Sequence, residues 1–348
     1  MVFKEELKGY QDSINTELNL FFSRKLRQTS NLDSSSRDLV NKCREFNLRG
    51  GKRIRPILVI MGYKLLKDKC SDQVTKAALA VELMESFLLV HDDIIDNDSL
   101  RRGKPTLHKV YGIEKGDDVY GKNMALLAGD LLAIFGSEAI LATGFNNKLK
   151  ASAVEKFNGI IINTIFGQAL DYSGNFNDDF SADYIKRIHV LKTAKYTIEG
   201  PLHIGAVLAG AKEKHLKLIS GFSIPLGQAF QIKDDILNVF GSEAAIGKPV
   251  ASDIREGKKT LLVSKALEKA NEKQKSFIRY CLGNKTLKQS EIARIKRIIE
   301  DTGSLDCSKS LAADLVEKAK ENIRKSGFRK EAKLFLLNLA DYIIARDK

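Results

Sequence analysis

Apolar residues recur three and four positions apart along almost the whole chain, and no segment of useful length alternates apolar with polar side chains as a half-buried strand would. A helix turns every ~3.6 residues, so this spacing lays an apolar stripe along each segment, and such stripes are buried most simply against one another. The spacing predicts long buried helices over 77–95, 124–141, 151–170, 184–208 and 216–240. Gly, Asn, Asp or Pro marks breaks at 47–52, 102–105, 112–123, 171–180, 210–214 and 241–248. Several of these helices are apolar on more than one face and carry their charge near the ends, the pattern of helices inside a large bundle. Length alone allows roughly two domains. No low-complexity or Ser/Pro-rich stretch divides the chain, however, and a single all-α domain spanning 1–348 is the expectation.

Composition excludes several classes. With 43% hydrophobic and 29% charged residues and only five prolines, the chain is neither disordered nor collagen-like. Its longest charge-free run, residues 218–232, contains Pro225 and falls short of the ~18 residues a membrane-spanning helix needs, so no transmembrane segment is expected. Lys4, Glu5, Glu6, Lys8 and Asp12 interrupt the N-terminal apolar residues, leaving no secretory signal core and predicting a cytoplasmic location. Cys43, Cys70, Cys281 and Cys307 are far apart, which fits reduced thiols better than a disulfide framework or a zinc site. The net charge of +13 favours a negatively charged partner: nucleic acid, a membrane surface or a phosphorylated small molecule.

The densest chemistry is the run His91-Asp92-Asp93-Ile94-Ile95-Asp96, at the end of an apolar helix. Positions 92 and 96 are about 40° apart on a helix, one turn from each other, so both carboxylates share a face. Like charges placed there repel, and a divalent cation would neutralise them; an all-oxygen set suits Mg²⁺. A solvated acidic helix end is the plain alternative. A second run, Gln231-Ile232-Lys233-Asp234-Asp235-Ile236-Leu237-Asn238, repeats the arrangement at the end of another apolar helix. Two such helices facing each other would hold cations that bridge a diphosphate. Basic residues accompany the acids: Lys52, Arg53 and Arg55 after a glycine pair, Arg101 and Arg102 just after the first aspartates, then Lys192, Lys248, Lys258 and Lys259. Arg can clamp phosphate with two donors, and Lys acts as a point charge.

These residues fall into six ordered motifs: G-G-K-R-x-R-P at 50–56, D-D-x-x-D-x-x-x-x-R-R-G-x-P at 92–105, G-Q-x-x-D at 167–171, K-T at 192–193, F-Q-x-x-D-D at 230–235 and D-I-x-E-G-K-x-T at 253–260. In this the chain resembles the trans-isoprenyl diphosphate synthases of the polyprenyl synthetase family, and in its spacing the archaeal geranylgeranyl diphosphate synthases. The resemblance implies a single large helical bundle of the isoprenoid synthase type around a central cavity. It also implies a homodimer that condenses isopentenyl diphosphate with allylic diphosphates, to a C20 product or to the C15 or longer products of related synthases. Catalytic roles carry over to Asp92, Asp93, Asp96, Lys192, Asp234 and Asp235. Asp92, Asp96 and Asp234 would hold three Mg²⁺ ions on the allylic diphosphate, with Arg101, Lys192, Thr193, Gln231, Lys248 and Lys258 completing the clamp. Lys52, Arg55 and Arg102 would hold isopentenyl diphosphate. Phe87, with Leu88 and Met84, would form the floor that limits product length.

Two positions depart from the family pattern. Asn238 stands where an aspartate is common, implying a weaker metal position, and Glu85 stands where His or Gln touches isopentenyl diphosphate. Positions 85 and 92 are about 20° apart on a helix, so Glu85 faces the site and would repel substrate unless Arg55 or Lys52 pairs with it. His91 and His108 read as structural, since Mg²⁺ does not call for imidazole. A terpene cyclase or head-to-head synthase would not need both basic motifs. A non-catalytic synthase subunit would not need every aspartate. A nucleic-acid-binding protein would not place acids inside apolar helices.

Overall fold

Side-chain caps set where many of the helices begin. Asp33 accepts from the Ser36 amide, Ser71 from Gln73, Asp117 from Val119 and Tyr120, Ser181 from Tyr184 and Thr260 from Val263, each satisfying a donor that the first turn leaves open. The computed structural model describes residues 2–69, 71–174, 181–241 and 250–345. It divides into two compact units: Met1–Asn158 with Pro201–Glu213, and Gly159–Gly200 with Lys214–Lys348. The chain passes between them at the middle of one helix and the ends of two others, with no linker whose composition could betray the division.

The first unit contains α1 (Val2–Gln28), α2 (Ser34–Leu48), α3 (Ile54–Lys64), α4 (Asp72–Ile95), α5 (Leu107–Lys115), α6 (Asp118–Leu141) and the start of α7 (Asn147–Gly174). Its axis is α4, buried without interruption from Ala77 to Met84 as expected of a helix surrounded by others. The buried face of α6, including Ala125, Ala128, Gly129, Leu132 and Gly136, lies along it. Farther along the chain α9 (Gly200–Leu208) crosses α3 at two glycines. The Leu202 carbonyl occupies the space a Cβ at Gly62 would take, and the Val59 carbonyl does the same at Gly205. The second unit holds the rest of α7, α8 (Ala182–Ile188), a π-helical stretch His189–Glu199, α10 (Glu213–Phe240) and C-terminal helices including Ser304–Arg324 and Lys330–Ala345.

The architecture is all-α, as the periodicity predicts, with local corrections. The break expected over 112–123 shrinks to Gly116, left-handed at φ 72°, and the cap Asp117, so α6 starts earlier than its apolar pattern. Helix α7 continues through Asp171 to Gly174. The stretch expected as a loop at 102–105 closes a two-residue hairpin in which Leu100 pairs with Pro105 and Arg101 with Lys104. Arg102 and Gly103 at its tip both have positive φ, 54° and 74°, as the favoured two-residue turn requires. Among the described residues α6 alone is long and apolar enough to cross a membrane. Asp130 and Glu138 interrupt its apolar run, which is why no long charge-free stretch marks it. Cys43, Cys281 and Cys307 are free; Cys70 lies outside the described residues.

Candidate functional site

At the end of α4 the three aspartates take different positions. Asp92 and Asp96 are half-buried at the helix end, and the Asp96 amide donates to the Asp92 carbonyl at 2.8 Å. Asp93 points inward and is 0% exposed. One of its oxygens accepts from Arg101 Nε at 2.7 Å and from Arg101 Nη2, and its other oxygen is buried with no partner. Burial pushes the Asp93 carboxyl up to about 6 even against the pull of Arg101. Arg101 also reaches Asp98 at 3.1 Å and Asp92 at 3.9 Å, so its guanidinium sits among three carboxylates, which hold its pKa up although burial opposes them. Asp93 therefore serves as the internal counter-ion of Arg101, whereas Asp92 and Asp96 are the pair left facing outward.

The hairpin sends the two neighbouring arginines to different partners. Arg102 donates to the Gly50 carbonyl and lies over Gly51, where a Cβ would come within 3.2 Å of its guanidinium. Gly50 and Gly51 have φ of 94° and 140°, open to glycine and strained for other residues. Glu85 pairs with Arg55 at 2.9 Å and approaches Arg102 at 3.7 Å. The structure thus gathers Arg55, Arg102 and Glu85 beside the exposed Lys52, and the pairing that Glu85 needs is present.

In the second unit the π-helical stretch is wedged between close neighbours. A Cβ on Gly167 of α7 would lie 2.6 Å from the Lys192 amide, and one on Gly227 of α10 would overlap Ala194. Glycine at these two points lets backbones approach closely enough to place Lys192 and Thr193. Lys192 Nζ donates to Asp171 at 2.6 Å, Thr193 donates to the Gln231 side-chain carbonyl, and the Gln231 amide donates to Asp235 at 2.8 Å. Asp235 is only 3% exposed, with His189 Nε2 3.5 Å from its other oxygen, while Asp234 is half-buried. The first aspartate of each cluster is thus presented and the second is tied down inside. A cleft of about 100 Å³ is lined by Asp171, Lys192, Thr193, Gln231, Asp235 and Lys258 among others. Asp171, His189, Asp253, Lys259 and Thr260 also line it; Asp171, Asp253 and Thr260 lie in the motifs without being assigned a role, while nothing in the spacing marks His189. Lys258 is held by Glu256 at 2.6 Å and Asp253 at 3.7 Å. Lys248 lies outside the described residues.

Asn238, where a weaker metal position is expected, ties two segments together. Its amide is buried, donates to Ser252 Oγ at 2.7 Å and accepts from the Asp253 amide at 3.1 Å, fixing the start of the 253–260 motif to α10. His91 packs edge-on to Phe87 with ring centroids 4.8 Å apart, beneath Gly129 where a Cβ would strike the ring. His108 is buried with both ring nitrogens unpartnered, and burial pushes its pKa down, so both histidines are structural. No group of three or more His, Cys, Asp or Glu is arranged to hold a metal among the described residues. Asp92 and Asp96 fit Mg²⁺ as a hard oxygen pair that leaves most coordination positions to water and substrate oxygens.

The chain matches the polyprenyl synthetase family over residues 37–299. The chain belongs to that family. The short chain isoprenyl diphosphate synthase of Methanocaldococcus jannaschii is 37% identical over 88% of this chain and 89% of its own length. The geranylgeranyl diphosphate synthase of Saccharolobus solfataricus is also 37% identical, over 86% of this chain and 87% of its own. The geranylgeranyl pyrophosphate synthase of Corynebacterium glutamicum, crystallised with isoprenyl diphosphate and magnesium, superposes with a TM-score of 0.92 at 29% identity, covering 98% of this chain and 99% of the other. The family's common aspartate at 238 would bring a negative charge into a buried position and remove the donor to Ser252. Asn238→Ala should cost about 1–3 kcal/mol of stability in urea unfolding, because two buried polar partners lose their bonds, and Asn238→Asp should also destabilise.

Proposed function

We propose that this polyprenyl synthetase condenses isopentenyl diphosphate with allylic diphosphates and delivers chiefly the C20 product, geranylgeranyl diphosphate. The observation that carries this reading is the separation of roles: Asp92, Asp96 and Asp234 are partly accessible, while Asp93 is paired with Arg101 and Asp235 is hydrogen-bonded by Gln231 inside. Arg55 and Arg102 form a distinct cationic group around Glu85, and the exposed Lys52 lies close to Arg55 in the chain. Relatives named for the same chemistry at 37% identity support it.

In this reading Asp92, Asp96 and Asp234 would hold Mg²⁺, three ions per site, against the allylic diphosphate. Bound there, Mg²⁺ would offset the charge that grows on the diphosphate as its C–O bond ionises. Lys192, Thr193, Gln231, Lys258 and Lys248 add donors to that diphosphate, and Arg101 keeps Asp92 oriented through its bond to Asp93. Lys52, Arg55 and Arg102 orient isopentenyl diphosphate so that its double bond attacks the allylic cation. The C–O bond breaks first, its electron pair leaving with the diphosphate; the new C–C bond then forms on the cation, and the proton lost from the isopentenyl unit passes to the released diphosphate. No covalent enzyme intermediate is needed. The unpaired face of α6, with Val119, Leu126, Leu127, Ile134 and Leu141 exposed, is the surface a second copy would cover in a homodimer. Free thiols at three described cysteines fit a cytoplasmic setting.

The deciding experiment incubates the protein with Mg²⁺, isopentenyl diphosphate and allylic starters, then measures product length. A C20 product that disappears with chelator is expected, and no prenyl product overturns the reading. Asp92→Ala should cut turnover at least about a hundredfold with an unchanged circular dichroism spectrum.

Glu85→Gln keeps an acceptor for Arg55 while removing a negative charge from the isopentenyl diphosphate group. Its KM for isopentenyl diphosphate should fall about fivefold, the scale of ~1 kcal/mol, with the allylic KM unchanged. Steady-state kinetics with each substrate varied in turn reads this out.

Phe87 is buried against His91, whereas Leu88 shares the half-exposed face of Asp92 and Met84 is fully buried. Phe87→Ala should extend the product beyond C20 by removing a fixed ring from the floor. If Leu88→Ala or Met84→Ala alone extends it instead, the floor lies on the Asp92 face of α4.

A further inference from the structure

The loop that carries Lys52 and leads into α3, where Arg55 lies, is held by a part of the chain that the family match does not reach. Matching begins at residue 37, and α1 ends at Gln28. Gln11 and Asn15 lie one turn apart on α1, so they share a face. The Gln11 amide donates to the Lys52 carbonyl at 2.8 Å, and Asn15 Oδ1 accepts from Arg53 Nε at 3.0 Å. Arg53 follows Lys52 directly and precedes Arg55 by two positions, between the two candidate isopentenyl diphosphate cations, and it is 3% exposed. Its backbone is left-handed at φ 53°, a strained conformation that persists in a non-glycine residue only when its surroundings over-determine it.

The surroundings do so from three helices. Arg53 Nη1 pairs with Glu82 of α4, whose side chain is 1% exposed, and Nη2 donates to the Asn47 carbonyl at the end of α2 at 2.8 Å. Asn47 is locked in turn, accepting from Ser86 Oγ at 2.8 Å and donating to the Cys43 carbonyl at 2.8 Å. Arg53 is turned inward on these partners, while Lys52 beside it is exposed and Arg55 pairs with Glu85. Helix α1 is itself firmly seated, since Ile14, Leu18 and Phe22 are fully buried and Lys64 of α3 donates to Tyr10 at 3.1 Å.

We propose that Gln11 and Asn15 are positioning residues for isopentenyl diphosphate: α1 grips the Lys52–Arg53 backbone and side chain so that Lys52 and Arg55 meet the diphosphate pre-aligned. This rests on the reading of Lys52 and Arg55 given above. Pre-alignment removes an ordering cost from binding one substrate and leaves the other untouched.

The test uses the full chain with each substrate varied. Gln11→Ala and Asn15→Leu should each raise the KM for isopentenyl diphosphate about fivefold, the effect of losing one net hydrogen bond worth ~1 kcal/mol. The kcat and the allylic KM should stay within about twofold, and thermal melts should show the variants folded. Asn15→Asp keeps the acceptor for Arg53 and should restore the wild-type KM, while Gln11→Glu has no donor for the Lys52 carbonyl and should not. Equal changes in both KM values, or failure of Asn15→Asp to rescue, overturns the proposal. Arg55→Ala separates the two levels of the argument. If it raises the isopentenyl diphosphate KM strongly while Gln11→Ala and Asn15→Leu do not, only the positioning role fails. If it leaves that KM unchanged, the assignment of the cation group fails and the positioning role with it.

Discussion

Carboxylates at the ends of apolar helices must be neutralised where they point inward, and the candidate site follows from how this chain meets that requirement. A buried unpaired charge costs several kcal/mol. Asp93 is therefore paired with Arg101 and Glu82 with Arg53, while Asp235 accepts a hydrogen bond from the neutral Gln231 amide with His189 close by. Each inward acid is answered from another part of its own unit. Each tie also sets a neighbouring residue: the Asp93 bond fixes the hairpin that aims Arg102 at Gly50, and the Glu82 bond fixes the loop that bears Lys52 and leads into α3. Asp92 and Asp96 in the first unit and Asp234 in the second keep part of their surface accessible.

Close backbone approach does comparable work in the second unit. Gly167 and Gly227 let α7 and α10 press on the π-helical stretch, and the wider turn there carries Lys192 and Thr193 toward Asp171 and Gln231. A π turn interrupts the regular bonding of a helix and is common at functional sites. Substituting either glycine would displace the two residues as well as strain the packing.

The two departures from the family pattern resolve differently. Glu85 is absorbed by two arginines, so its charge tunes a cationic group without opposing substrate alone. Asn238 has both ends of its amide engaged in this structure, donating to Ser252 and accepting from the Asp253 backbone amide. A carboxylate there would keep the acceptor but lose the donor to Ser252.

The all-α class, the extent of most central helices and both aspartate clusters were legible in the chain itself, because helical periodicity and local spacing act over one or two turns. The same local rules placed Asp92 and Asp96 on one face and Glu85 near them. They could not tell Asp92 from Asp93 in role, since both are adjacent acids in one motif; only the arrival of Arg101 from the hairpin made one internal. Nor could they show the π turn, the tie at Asn238, His189 beside Asp235 or the grip of α1 on Lys52 and Arg53. Each of these depends on partners between 14 and 46 positions away in the chain, counted from the residue numbers of the pairs. Contacts of that reach are decided by how helices pack, because packing chooses which of many equally suitable donors meets each buried acceptor.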